Sequence, residues 1–462
     1  MSITQSTELL SPAGSLKNMR YAFAYGADAV YAGQPRYSLR VRNNAFDHDN
    51  LAIGIKEAHD LGKKFYVVVN IQPHNSKLKN FIRDLTPVVA MQPDALIMSD
   101  PGLIMLVREH FPEMAIHLSV QANAVNWATV KFWQNMGLTR VILSRELSLE
   151  EIEEIKKQVP EMEIEVFVHG ALCMAYSGRC LLSGYMNKRD ANQGACTNAC
   201  RWEYNVHMAK EDVNGDVIAV QQLDSEGQAT QCCHDTQSQH SMNEAVLLQR
   251  NDEEMFAAEE DEHGTYFMNS KDLRAVQHVE RLSKMGVHSL KIEGRTKSYF
   301  YCARTAQIYR KAIDDALAGR KFDPALMTQL EGLANRGYTE GFLRRHVHSD
   351  YQNYATGSSV FDHQQYCGEV LERQGDYLVI DVKNKFVVGD SLELMTPQGN
   401  ITFELTEILD AKGQMIEAAK GSGHVVRIAA PADVAVEFAL LIRNLPQSSH
   451  DISASSLAYV AS

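Results

Sequence analysis

Over its first 300 residues the chain repeats one unit, a short apolar or β-branched run, a turn and then a stretch of helical periodicity, at a spacing of about thirty residues. Strand and helix alternating at that period make parallel strands joined by helical crossovers, which leaves few architectures open. Eight runs qualify: Glu8 to Pro12, Ala29 to Ala32, Phe65 to Asn70, Ala95 to Ser99, Ile116 to Val120, Val141 to Ser144, Ile164 to Val168 and Ser289 to Ile292. Eight strands predict a closed (β/α)8 TIM-like barrel of α/β class. Ser15 is placed to cap a helix with Leu16, Met19, Phe23 and Ala24 on its apolar face, and Gly26, Gly62, Gly137 and Gly286 stand where helices should end.

The interval between the seventh and eighth runs spans about 120 residues where a βα unit needs ~30. The barrel is therefore expected over 1–345 with an insertion at 171–285, followed by a linker at 346–359. Alternating short strands with turn pairs over 360–446 predict a small all-β barrel domain, and 447–462 reads as a disordered polar tail.

Charge is concentrated in one place. Of a net charge of -13, residues 207–262 supply nearly all, with 14 Asp and Glu against 2 Lys and Arg, so the remaining body is close to neutral and can carry a local basic face. The acidic, Gln- and Ser-rich segment itself is expected to be a poorly ordered excursion. The opening MSITQSTELLSPAG lacks the basic and apolar regions of a signal peptide, and no run approaches ~18 apolar residues, which predicts a cytoplasmic protein with no membrane partner. In that compartment thiols stay reduced, so eight cysteines favour metal or redox chemistry over disulfides.

Four of them, Cys173, Cys180, Cys196 and Cys200, follow a C-x6-C-x15-C-x3-C pattern inside the insertion. Four thiolates suit zinc or an iron-sulfur cluster, and the first spacing is wider than that of a zinc knuckle, which favours a 4Fe-4S cluster. The C-x3-C-x2-C motif of radical enzymes is absent after the first strand. Cys232, Cys233, Cys302 and Cys367 are read as non-ligands.

Barrels place chemistry at the carboxyl ends of their strands. Arg36, Arg40, Arg145, Arg179 and Arg295 fall at or near that rim and are candidate substrate-binding groups, because guanidinium groups bind carboxylates and phosphates in pairs of hydrogen bonds. His169 and Glu293 are the candidate catalytic residues. His169 reads equally as a proton carrier, a partner of the cysteine site or a structural histidine, and Glu293 as a base or as a partner of Arg295. Hydrolase and nucleotide-binding motifs such as H-E-x-x-H, G-x-S-x-G and G-x-x-x-x-G-K-[ST] are missing.

The stretch EVFVHGALCMAYSGRCLLS, from Glu165 to Ser183, resembles the signature of the collagenase-like peptidases, the unassigned peptidase family numbered thirty-two. ELLSPAGSLKNMRYAFAYGADAVYAGQPRYSLR, PDALIMSDPGLI and SLKIEGRTKS extend the similarity over nearly all of residues 8–445. The resemblance implies addition of a hydroxyl group to RNA or quinone precursors without molecular oxygen, with a cysteine-bound iron-sulfur cluster and the metabolite prephenate as co-substrate. One branch of the family acts on the wobble uridine of tRNA and makes 5-hydroxyuridine. Carried over, the cluster ligands are Cys173, Cys180, Cys196 and Cys200, the partners are tRNA and a small dicarboxylate metabolite, and the arginines would face the latter. Two other readings remain: a zinc or collagenase-like peptidase, against which four thiolates leave no open position for water, and a non-catalytic tRNA-binding or cluster-delivery protein.

Overall fold

A computed structural model of the chain describes residues 7–39, 45–172, 271–335, 337–344, 364–431 and 434–445, together with the backbone of four strands between 205 and 260. The seven strands β1 (Glu8–Pro12), β2 (Ala29–Gly33), β3 (Lys64–Val69), β4 (Ala95–Met98), β5 (Ile116–Leu118), β6 (Arg140–Ile142) and β7 (Glu163–Ala171) run parallel in sequence order. Both faces of β2 and β4 are covered, so these two read as apolar runs rather than as alternations.

Helices cross over between them, and their ends follow from local sequence. Ser15, Asp47, Asp100, Asn126, Ser148 and Ser298 each accept a backbone N–H in the first turn of a helix. Asp100 is thereby a cap for Pro101–His110. The four helix-ending glycines, Gly26, Gly62, Gly137 and Gly286, all take positive φ, between 66° and 101°.

Between β7 and the closing strand lie β8 (Asn205–Glu211), β9 (Val217–Ala219), β10 (Glu244–Gln249) and β11 (Met255–Glu260), an antiparallel sheet in the order β11-β10-β8-β9. The expectation of a poorly ordered acidic excursion is corrected at these strands, where runs such as EAVLLQ and MFAAEE pair despite their acidic surroundings. The chain is back on the barrel wall at β12 (Asp272–Arg274), which pairs antiparallel with the upper half of β7. The helix Val279–Lys284 then leads into β13 (Ser289–Ile292). Ser289 pairs with both Glu8 of β1 and Glu165 of β7, which closes the eight-stranded barrel. After the helix Tyr299–Leu317, the short β14 (Tyr338–Thr339) lies parallel to β12.

The C-terminal region is all-β: β15 (Gln364–Gln374), β16 (Tyr377–Val382), β17 (Phe386–Val387), β18 (Ser391–Thr396), β19 (Gly399–Glu404), β20 (Ile408–Leu409), β21 (Met415–Ile416), β22 (Ala418–Ala419), β23 (Val425–Ala429) and β24 (Leu440–Asn444). Every pairing is antiparallel, and the main ladder runs β19-β18-β24-β15-β16-β23-β20-β21. Leu392 and Leu394 near one end share an apolar cluster with Ile408 near the other, so the sheet curls on itself. It docks on the barrel helices Leu16–Ala24 and Tyr299–Leu317, and Met395, Leu440 and Ile442 join the barrel's own core. Among the described residues no helix is long and apolar enough to cross a membrane.

Candidate functional site

Neighbouring residues on parallel strands point to the same side, so the register assigns the barrel interior. Glu8, Tyr31, Tyr66, His117, Arg140, Glu165, Phe167 and Lys291 share the inward face. Half of these carry charge, which is unusual for a barrel whose interior is normally filled by branched aliphatic residues. The charges are paired. Arg140, 3% exposed, bonds Glu8 Oε1 at 2.6 Å, Glu163 Oε2 at 2.8 Å and Glu165 Oε2 at 3.1 Å. The other oxygen of Glu165 accepts from Lys291 Nζ at 2.8 Å, and Tyr66 donates to Glu8 Oε2 at 2.7 Å.

Burial and pairing oppose one another in this column. Burial pushes the Glu8 carboxyl up, but Arg140 outweighs it and leaves Glu8 below the usual carboxylate range. Burial draws Lys291 down, with Glu165 opposing, and takes His117 well below its ordinary value beside Arg140 and Lys291.

Above this column stands an arc of cations and rings. The Arg145 guanidinium lies 4.0 Å from the Phe167 centroid, and its Nη1 donates to the Ala171 carbonyl at 2.7 Å. Lys291 Nζ is 5.4 Å from the same ring and 4.3 Å from that of Tyr31. Arg295 lies 5.8 Å from the Tyr31 centroid, with Nη1 donating to Ser38 Oγ at 2.8 Å. The order Arg145, Phe167, Lys291, Tyr31, Arg295 therefore spans β6, β7, β13 and β2 and supplies three cations at one side of the mouth. On the opposite side Asn70 is the hub, donating to Gln121 Oε1 at 2.7 Å and to Ser119 Oγ at 3.2 Å.

Arg145, Arg295 and Glu293 thus sit where the rim predicts. Glu293 directly follows β13, half-buried, and its negative charge acts on the Tyr31 hydroxyl, whose pKa burial has already raised. Arg36 does not join the arc: its side chain is 62% exposed and pairs with Asp84 of an outer helix at 2.6 Å. Arg40, Arg179, Cys173, Cys180, Cys196 and Cys200 lie outside the described residues. Among the described residues no group of His, Cys, Asp and Glu could hold a metal ion.

His169 is the largest departure from simple strand alternation. Counting by twos from Glu165 and Phe167 would aim it into the mouth, but the register with β13 shifts there, and His169 pairs with Ile292 instead of the residue after it. The bulge turns the imidazole outward, among the rings of Tyr301, Tyr309 and Tyr338 at 5.5 to 5.8 Å. It is 1% exposed, and burial, with smaller contributions from Arg274 and Lys297, pushes its pKa down to about 3. A neutral, enclosed imidazole is a packing element at pH 7 rather than a proton carrier at the mouth.

Lys291, Glu165 and Arg140 were not singled out by motif or rim position. The available signal was their presence in otherwise apolar strand runs at inward parity, since a charge in a doubly covered strand must have a partner.

Comparison with known proteins agrees with this architecture. The model of "Peptidase family U32" matches residues 14–353, and that of "Peptidase family U32 C-terminal domain" matches 362–443. The chain is 71% identical to "tRNA hydroxylation protein P" of Escherichia coli, covering 95% of this chain and 96% of that one. It is 65% identical to the protein of the same name from Haemophilus influenzae, again over 95% and 96%. The E. coli "23S rRNA 5-hydroxycytidine C2501 synthase" is 28% identical over 87% of this chain and 54% of its own length. With the family's models matching 14–353 and 362–443, the chain belongs to peptidase family U32.

Proposed function

We propose that this protein is a tRNA hydroxylase that converts the wobble uridine to 5-hydroxyuridine, using a 4Fe-4S cluster and prephenate as co-substrate. The observation that carries the reaction and the RNA is the near full-length likeness to proteins named for tRNA hydroxylation. A hydroxylated pyrimidine also figures in the name of the rRNA-acting relative.

The remaining parts rest on the chemistry of the residues. Cys173, Cys180, Cys196 and Cys200 would hold the cluster, for which four thiolates are a fitting donor set; in sequence Cys173 comes two residues after the end of β7. Bound there, a cluster supplies one-electron chemistry. The chain's own residues bind and orient: Arg145 and Arg295, fixed by Ala171 and Ser38, offer guanidinium groups to a small dicarboxylate or to RNA phosphate. Glu293 beside Tyr31 is a group that can accept a proton at the mouth.

Mass spectrometry of tRNA nucleosides from a deletion strain tests substrate and reaction together. Loss of 5-hydroxyuridine and its derivatives is expected, with rescue by the wild-type gene and none by Cys173→Ala, whose purified protein should also have lost iron. Unaltered nucleosides in the deletion strain would overturn the tRNA assignment, and zinc without iron in anaerobically purified protein would overturn the cluster.

A further inference from the structure

Lys291 is the one member of the cationic arc that lies inside the barrel, 3% exposed, at the level where the interior charge column meets the mouth. An ammonium carries three N–H donors. Among the described residues Lys291 Nζ has one hydrogen-bond acceptor, Glu165 Oε1, and otherwise faces the rings of Tyr31 and Phe167. Ring faces attract a cation but do not use up its donors as an oxygen would. Glu165 is divided in turn, because its second oxygen belongs to Arg140.

The same shortage of acceptors recurs beside it. Arg145, which stacks on the ring that Lys291 also faces, has its Nε buried with no hydrogen-bond partner among the described residues. Among the described residues two cations with donors to spare therefore flank Phe167, and Arg295 lies near the ring of Tyr31. Buried donors left unmatched are costly, so a site of this kind is completed by an acceptor-rich ligand.

We infer that Lys291 is an anion-contacting residue of the mouth, which takes one carboxylate of a small organic dianion while Arg145 or Arg295 takes the other. Phe167 and Tyr31 supply the flat apolar walls between the charges, which suits a ligand with an unsaturated ring or short carbon skeleton rather than a bare phosphate. Glu165 holds one N–H of the ammonium from below and competes with the ligand for its charge. This deepens the co-substrate reading above and rests on it for the choice of prephenate as a probe.

The test is calorimetric titration of the full-length protein with prephenate and, separately, with succinate. Lys291→Gln keeps an N–H for Glu165 while removing the charge, and Glu165 retains Arg140; its prephenate affinity should fall at least ~10-fold, with Lys291→Arg losing much less. Glu165→Gln removes the competing carboxylate and should tighten binding, a change in the opposite direction that loss of folding cannot imitate. Unchanged affinity in Lys291→Gln, or weaker binding in Glu165→Gln, overturns the role of Lys291 and leaves prephenate as co-substrate standing. Binding of succinate alone, with the same order of variants, supports Lys291 and overturns prephenate. No binding of either anion overturns the inference.

Discussion

Gly33 closes β2 at the point where Arg295 crosses toward Ser38, and a Cβ there would lie 2.6 Å from Ser38 Oγ and 2.7 Å from Arg295 Nη1. Space, not backbone conformation, is what this glycine provides. Gly33→Ala is expected to push Arg295 out of the arc, reducing tRNA modification at least ~10-fold while costing only about 1–3 kcal/mol of stability. Wild-type modification by the alanine variant would show that the position of Arg295 is immaterial. At His169 the prediction concerns pH. The folded pKa of about 3 lies below the ordinary value of 6.5, so between them the unfolded chain binds a proton that the folded chain refuses. Stability attributable to His169 is complete above pH 6.5 and declines as pH falls toward 3, by about 1.4 kcal/mol per pH unit. Urea titrations from pH 7 to 4 on wild type and His169→Asn should show a shallower decline in the variant, and parallel curves would contradict the burial argument. Rim position alone placed Arg145, Arg295 and Glu293 at the mouth, which is where the structure has them. The pairing of Arg36 with Asp84 was not legible, because nothing in a single sequence links residues 48 apart.

A strand announces itself by composition but conceals its parity. The barrel strands were legible because a parallel strand covered on both faces must be apolar, and the helix ends because caps and left-handed glycines have few substitutes. The bulge in β7 was not, since it inserts one residue without altering the run's apolar character. In the acidic segment composition outweighed the brief runs that form β10 and β11. Gly170 marks what the bulge demands. It has φ of 106°, and a Cβ would meet the Glu293 carbonyl oxygen at 2.6 Å. That oxygen is backbone, itself bonded to the Tyr301 hydroxyl at 2.7 Å, and cannot rotate away. Gly170→Ala should therefore destabilise the barrel by about 2 kcal/mol or more, measured as a lower urea midpoint. A midpoint equal to wild type would mean that the β7–β13 register tolerates rearrangement.

The division of the chain into an α/β part and an all-β part could be read from the change in pattern, but their union could not, because it depends on pairs drawn from distant segments. Arg304 is the clearest of these. It projects from the helix Tyr299–Leu317, 1% exposed, and bonds Glu393 Oε1 at 2.9 Å and Gln364 Oε1 at 2.7 Å on the β-sheet. Around it Phe300 stacks on Tyr366 with centroids 4.8 Å apart, and the Tyr25 hydroxyl lies 2.9 Å from the carbonyl oxygens of both Met395 and Phe438, which share its one proton. Apolar contacts supply adhesion, and the arginine fixes orientation, since its fork fits one arrangement of acceptors. Arg304→Ala empties a buried site and takes the charged partner from the partly buried Glu393, leaving it Gln364 and Asn400 as donors, so the junction should weaken by about 2–4 kcal/mol. The barrel and the β-sheet each retain a separate apolar cluster, so the loss should appear as a change in cooperativity. Wild-type protein is expected to unfold in one calorimetric transition and Arg304→Ala in two. Arg304→Ala together with Glu393→Leu should recover much of the loss by replacing the stranded charge with apolar contact. A single transition at the wild-type temperature in Arg304→Ala would assign the coupling to the aromatic contacts instead.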